Sequence, residues 1–120
     1  MKRLGFAFAC ALLVATPAFA TDLGGNYKVT GKNADGTAYH GDAEIVVTSQ
    51  NTCRIIWKTG GSSVQNGICM RNGSAFSAAY SFTDGTVGLV IYELNDDGSM
   101  KGLWTIADKK GVGEETLTPE

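Results

Sequence analysis

The sequence predicts an all-β fold: an up-and-down antiparallel meander of about eight strands closing into a small barrel, with an N-terminal signal helix ahead of it. Three observations carry this expectation. Beyond residue 20 the apolar residues fall in short alternating runs, with no long stretch of helical period. Gly, Asn, Asp and Ser separate the runs, and the chain holds 16 Gly but only 2 Pro, the mark of successive hairpins. Two cysteines, Cys53 and Cys69, remain once the leader is removed. In a small exported domain such a pair reads as a disulfide.

The leader comes first. Lys2 and Arg3 form a basic head, Leu4 to Ala15 an apolar run, and Ala18-Phe19-Ala20 a small-x-small cleavage pattern. Residues 1–20 are read as a signal peptide cleaved after Ala20, and residues 21–120 as a single β-barrel domain. The apolar run is too short to span a bilayer. It also continues past Cys10 through Val14, where a lipoprotein signal would end. The expected location is periplasmic or secreted, with no membrane span after cleavage.

Eight strands are expected near Gly25–Gly31, Tyr39–Thr48, Thr52–Thr59, Ser63–Met70, Ser74–Phe82, Thr86–Leu94, Ser99–Ala107 and Gly111–Thr118. In the second, Tyr39, Gly41, Ala43, Ile45 and Val47 share one face against His40, Asp42 and Glu44. In the fifth, Phe76, Ala78, Tyr80 and Phe82 make a similar row. Such alternation means one face buried and one wet. Asn33-Ala34-Asp35-Gly36, Gly60-Gly61, Arg71-Asn72-Gly73, Thr83-Asp84-Gly85 and Asn95-Asp96-Asp97-Gly98 supply tight turns. If the third and fourth strands fold back about Gly61, Cys53 faces Cys69 and Trp57 faces Gln65. Directly opposed residues lie within disulfide reach. Closure into a barrel leaves no free edge; an open curved sheet or small sandwich is the alternative. Strand-interior glycines at Gly41, Gly67, Gly88, Gly102 and Gly113 favour curvature.

The charge balance excludes some partners. The chain carries 10 Lys and Arg against 12 Asp and Glu, and two of the basic residues, Lys2 and Arg3, lie in the leader. The mature domain is mildly acidic with scattered cations, which disfavours nucleic acid. No cofactor and no metal are expected. Two thiols and one histidine cannot fill a tetrahedral zinc site. Glu93-x-Asn95-x-Asp97-Gly98 imitates the start of an EF-hand loop, but Trp104 occupies the position of the closing Glu, so these are read as hairpin turns.

No catalytic residue is assigned. His40 is expected to face solvent, and no nucleophile elbow accompanies it. Glu114 and Glu115 are adjacent on a strand, point to opposite faces, and cannot work as a glycosidase pair. The aromatics are more informative. Tyr27, Tyr39, Trp57, Tyr80, Tyr92 and Trp104 come from six strands and would converge inside a barrel. Plain core filling is the first expectation. The alternative is a shallow mouth pocket in which Tyr39, Trp57, Tyr80, Tyr92 and Trp104 bind a small apolar or planar ligand.

Two resemblances accompany this reading. The meander, with Gly25-Asn26-Tyr27 in its first strand and Gly102-Leu103-Trp104 in its seventh, resembles the avidin and lipocalin class of barrels. The biotin-contacting pattern is absent, so biotin binding does not carry over. The chain also resembles a group of small exported proteobacterial proteins, some labelled fibronectin-binding. The shared pattern runs through Tyr27, Val29, Gly31, Asn33, Asp35, Gly36, Tyr39 and Gly41, then Trp57, Gly60 and Gly61. It closes with Asp97, Gly98, Gly102 and Trp104, then Gly113, Glu115, Leu117, Thr118 and Pro119. This resemblance covers nearly the whole mature chain, implies a barrel and export, and supplies no catalytic residue. The function expected is that of an exported non-enzymatic binding protein for a small apolar ligand. The alternative is a protein-directed inhibitor or adhesin, binding extracellular matrix or a lytic enzyme, whose partner, another exported or extracellular protein, meets Thr21–Gly24 or the Asn95–Gly98 turn; an enzyme is the third choice, which titratable side chains converging in one pocket would favour.

Overall fold

A computed structural model describes residues 22–120; the expected signal helix and its cleavage site lie outside them. Eight strands follow in order: β1 Gly25–Lys32, β2 Ala38–Val47, β3 Thr52–Thr59, β4 Ser63–Asn72, β5 Ala75–Phe82, β6 Val87–Leu94, β7 Met100–Ile106 and β8 Gly113–Pro119. Each pairs antiparallel with its sequence neighbour, and β8 returns to β1 to close the barrel. The eight expected strands are all present, Thr52–Thr59 with the expected ends and the others with ends displaced by at most two residues. The open-sheet alternative is ruled out by the β1–β8 ladder, which runs from Tyr27 opposite Pro119 to Lys32 opposite Glu114.

The register follows from the alternation. In β3 the exposed and buried residues alternate through Cys53, Ile55 and Trp57, and Cys53 stands opposite Cys69 with Trp57 opposite Gln65. The two sulfurs are bonded, with the Cα atoms 4.9 Å apart. Three hairpins use one turn design. At Asp35, Asp84 and Asp97 the carboxylate accepts the N–H of the residue two positions on, each at 2.9 Å. The intervening glycines take positive φ, 87° at Gly36, 87° at Gly85 and 84° at Gly98, which costs a glycine little. At Asn95–Ser99 the side chains are further tied by Asn95 Nδ2 donating to Ser99 Oγ at 3.1 Å.

The two ends of the barrel differ. At one end Val29, Ile55, Phe76, Met100 and Leu117 are fully buried, and the disulfide lies beside them in the same core. Leu23, ahead of β1, folds under this end as a buried plug. Its carbonyl accepts the Tyr27 hydroxyl at 2.7 Å. Tyr27 therefore belongs to the packed floor and not to the mouth. Val47 has the inward parity expected of it but is 47% exposed, because β2 ends there beside the β2–β3 turn.

Candidate functional site

The other end opens into a cavity of about 280 Å³. Its walls carry Tyr39 from β2, Trp57 from β3, Tyr80 from β5, Tyr92 from β6 and Trp104 from β7, the five aromatics expected to line a mouth pocket. Plain core filling thus describes only the floor half. The upper half is not filled, because rings there lie against the wall and leave space between them.

Glycine is what lets the rings lie flat on the wall. Tyr39 is paired across the strands with Gly31, Tyr80 with Gly88, Tyr92 with Gly102 and Trp104 with Gly113. A Cβ at any of these glycines would run into the ring opposite it. Three of the glycines expected to favour curvature, Gly88, Gly102 and Gly113, have this second, steric duty, and Gly31 shares it; each clears a seat for the ring opposite. The rings then meet edge to face. Tyr39 and Trp104 have centroids 6.1 Å apart, and Trp57 and Tyr80 5.5 Å, the geometry that ring quadrupoles favour.

One charged side chain lies among them. Glu115 is 7% exposed, while its neighbour Glu114 faces outward and is exposed, as alternation requires. Tyr39 Oη donates to Glu115 Oε1 at 2.9 Å and Tyr92 Oη donates to Oε2. Burial pushes the Glu115 carboxyl above its usual range, and the hydrogen bonds from Tyr92 and Tyr39 offset part of that rise. The phenols move the same way. Burial, then the Glu115 charge, raises Tyr80 to about 12, and the same two causes push Tyr39 and Tyr92 well above the usual phenol range.

Further polar groups line the cavity. Gln65 is buried and accepts from Thr59 Oγ1 at 3.3 Å, while its amide donates to Ser63 Oγ. The indole nitrogens Trp57 Nε1 and Trp104 Nε1 are buried without a hydrogen-bond partner. Trp57 lies near enough to Glu115 to favour its ionised form, yet its N–H does not meet hydrogen-bond geometry. Trp57 also stands close to Tyr92, and Trp104 close to Tyr39, without either N–H reaching hydrogen-bond geometry.

Glu115 and Gln65 were not among the residues expected at the site. The signal for Glu115 is parity: Gly113, Glu115 and Leu117 share one face of β8, and Leu117 is plainly apolar. His40 is exposed and lies outside the cavity lining. The Asn95–Gly98 turn lies at the opposite end and is largely exposed; of Thr21–Gly24, Thr21 lies outside the described residues, Leu23 is buried, and Asp22 and Gly24 are exposed. On the outer wall a more open depression of about 700 Å³ runs past Ile68, Val87 and Leu89. The outward residues Ile68, Ala79 and Leu89 stand in one cross-strand row, and Met70, Ser77, Ile91 and Leu103 in the next.

No protein-family model matches the chain, and no curated protein does. Solved structures with the same architecture do. A redesigned β-barrel aligns with a TM-score of 0.72 at 18% identity, covering 82% of this chain and 91% of its own. A second, mFAP1, bound to DFHBI, aligns with a TM-score of 0.71 at 18% identity, covering 80% and 94%. A de novo designed fluorescence-activating barrel aligns at 0.66 with 13% identity, covering 81% and 93%. At such identities the likeness establishes a shared fold: this chain is an eight-strand antiparallel β-barrel of the kind those designs adopt.

Proposed function

We propose that this chain is an exported, non-enzymatic binding protein whose barrel mouth holds a small ligand with an apolar or aromatic body. The observation that carries the reading is the cavity of about 280 Å³, walled by rings and closed below by a packed floor. That volume sits at the lower edge of small-ligand pockets, about 300 Å³, and the lining sets polar groups of Asn33, Thr59, Ser63, Gln65 and Glu115 among the rings. Designed barrels of the same fold, mFAP1 and mFAP0, hold DFHBI, which supports the fold's capacity for a small ligand. Export follows from the leader pattern at Lys2 to Ala20 and from the resemblance to exported proteobacterial proteins.

Native mass spectrometry of protein purified from its own periplasm or medium tests both halves. The expected mass begins at Thr21 with the disulfide formed, and a small-molecule adduct is retained. A Val90→Phe variant, which fills the cavity from its wall, loses that adduct. A mature chain that never carries an adduct, from cells or from a ligand panel, refutes the small-ligand reading.

The second reading, a protein-directed inhibitor or adhesin, draws on the outer wall. Ile68 is 70% exposed and Ile91 62%, in adjoining rows of a kind that marks contact surfaces. Co-purification of one stoichiometric protein, unaffected by Val90→Phe, favours it.

A further inference from the structure

The cavity holds a carboxyl group whose charge, once ionised, nothing in its wall balances. Glu115 is the one carboxylate among the lining residues, and those residues include no Lys, Arg or His. The groups around it are neutral: Tyr39 Oη and Tyr92 Oη donate to it, and Trp57 stands beside it. Each carboxylate oxygen accepts one of the two phenols and keeps lone-pair capacity for another donor. The rings around it present electron-rich faces, which attract cations. Coulomb attraction in a partly desolvated pocket adds to that. A second and independent observation concerns the opposite polarity. Trp57 is 3% exposed, and its Nε1–H, like that of Trp104, is buried without an acceptor. An unsatisfied buried donor costs free energy that a ligand acceptor would recover.

From this arrangement we infer that the cavity selects a small organic amine: its ammonium donates to Glu115, its aromatic body lies among Tyr39, Trp57, Tyr80 and Trp104, and an acceptor atom takes an indole N–H. The inference rests on the small-ligand reading and narrows its chemistry. An anionic ligand is disfavoured by the carboxylate. A neutral hydrocarbon leaves both the carboxylate and the indoles unanswered.

Four probes of similar shape separate the contributions: tyramine, phenethylamine, phenylethyl alcohol and hydrocinnamate. They are titrated into the full mature chain with its disulfide intact, following the indole N–H proton resonances of Trp57 and Trp104. Tyramine binds tightest, then phenethylamine, and phenethylamine exceeds phenylethyl alcohol by about tenfold or more, since one charge-assisted hydrogen bond is worth ~1.5–3 kcal/mol. Hydrocinnamate is weakest. Glu115→Gln removes the amine's advantage, so that phenethylamine and phenylethyl alcohol bind within about twofold of each other. The wild type offers a check that needs no variant. Amine affinity falls at acid pH as Glu115 takes up a proton, and alcohol affinity does not. The groups facing Glu115 there, Tyr39 from β2, Trp57 from β3, Tyr80 from β5 and Tyr92 from β6, carry no charge at those pH values. Alcohol or hydrocinnamate binding as tightly as the amine overturns the amine inference and leaves the cavity reading standing. Four probes that all fail to move either indole resonance overturn both.

Discussion

Glu115 makes the stability of this protein depend on pH in a direction opposite to that of an ordinary salt-bridged carboxylate. Its folded pKa is raised by burial, so between the unfolded value, about 4.3, and the folded value the native state holds more protons than the unfolded chain. Unfolding free energy changes with pH as the difference in protons bound, unfolded minus native. That difference is negative in this window, so stability is greatest below the unfolded value and is lost as pH rises through the folded one. For one proton the slope reaches at most about 1.4 kcal/mol per pH unit. Asp35, Asp84 and Asp97 act the other way. Their turn hydrogen bonds lower their pKa values, so their contribution is complete above about 3.9 and is lost only below it. Urea unfolding at intervals from pH 4.5 upward therefore isolates Glu115. The wild type loses stability as pH rises and then levels off. Glu115→Gln, which cannot titrate, is flat over the same range with an unchanged m-value. Superposable profiles for the two proteins, or wild-type stability that climbs with pH across this interval, would refute the account of Glu115 as a buried, desolvated acid.

Other perturbations have equally definite outcomes. Gly113→Ala drives a methyl group into the Trp104 indole; it costs ~1–3 kcal/mol as overpacking does, and the Trp104 fluorescence shifts as the ring leaves its seat. Cys53→Ser with Cys69→Ser opens a loop of 16 residues and removes roughly 3 kcal/mol in the chain-entropy picture, measured by thermal or urea unfolding against the oxidised protein. Phe76→Ala, at 1% exposure in the floor and packed on the Tyr92 ring, loses about 3–5 kcal/mol, measured by urea unfolding. Tyr39, Tyr80 and Tyr92 have raised pKa values, so the folded protein keeps them protonated where the unfolded chain ionises, near pH 10. Alkaline absorbance titration should show tyrosinate appearing in one late step together with unfolding, and early independent ionisation of all tyrosines would contradict the burial.

The sequence alone determined the meander. Alternation in Tyr39–Val47 and Phe76–Phe82, broken by Asp-Gly and Asn-Gly turns, leaves few ways to pair the strands. A two-residue side-chain period also forbids a one-residue slip wherever one face is apolar. The Cys53–Cys69 pairing was legible for the same reason, since it needs only the turn at Gly60-Gly61 and a count outward along two strands. The convergence of five aromatics was legible once closure was assumed. What the sequence left open was whether those rings fill the barrel. That depends on how each ring leans against the strand beside it, and the lean is set by glycines paired across the ladder with Tyr39, Tyr80, Tyr92 and Trp104. Such pairings join residues from different strands, so no single stretch of chain displays them. Glu115 was hidden in the same way. Its charge made it look solvated, and only the closed wall, bringing Tyr39 and Tyr92 from two other strands onto its oxygens, makes a buried carboxylate affordable. The floor, too, was decided in three dimensions. Leu23 lies outside every strand, and it is the geometry of closure that turns it into the plug making the barrel a cup with one open end.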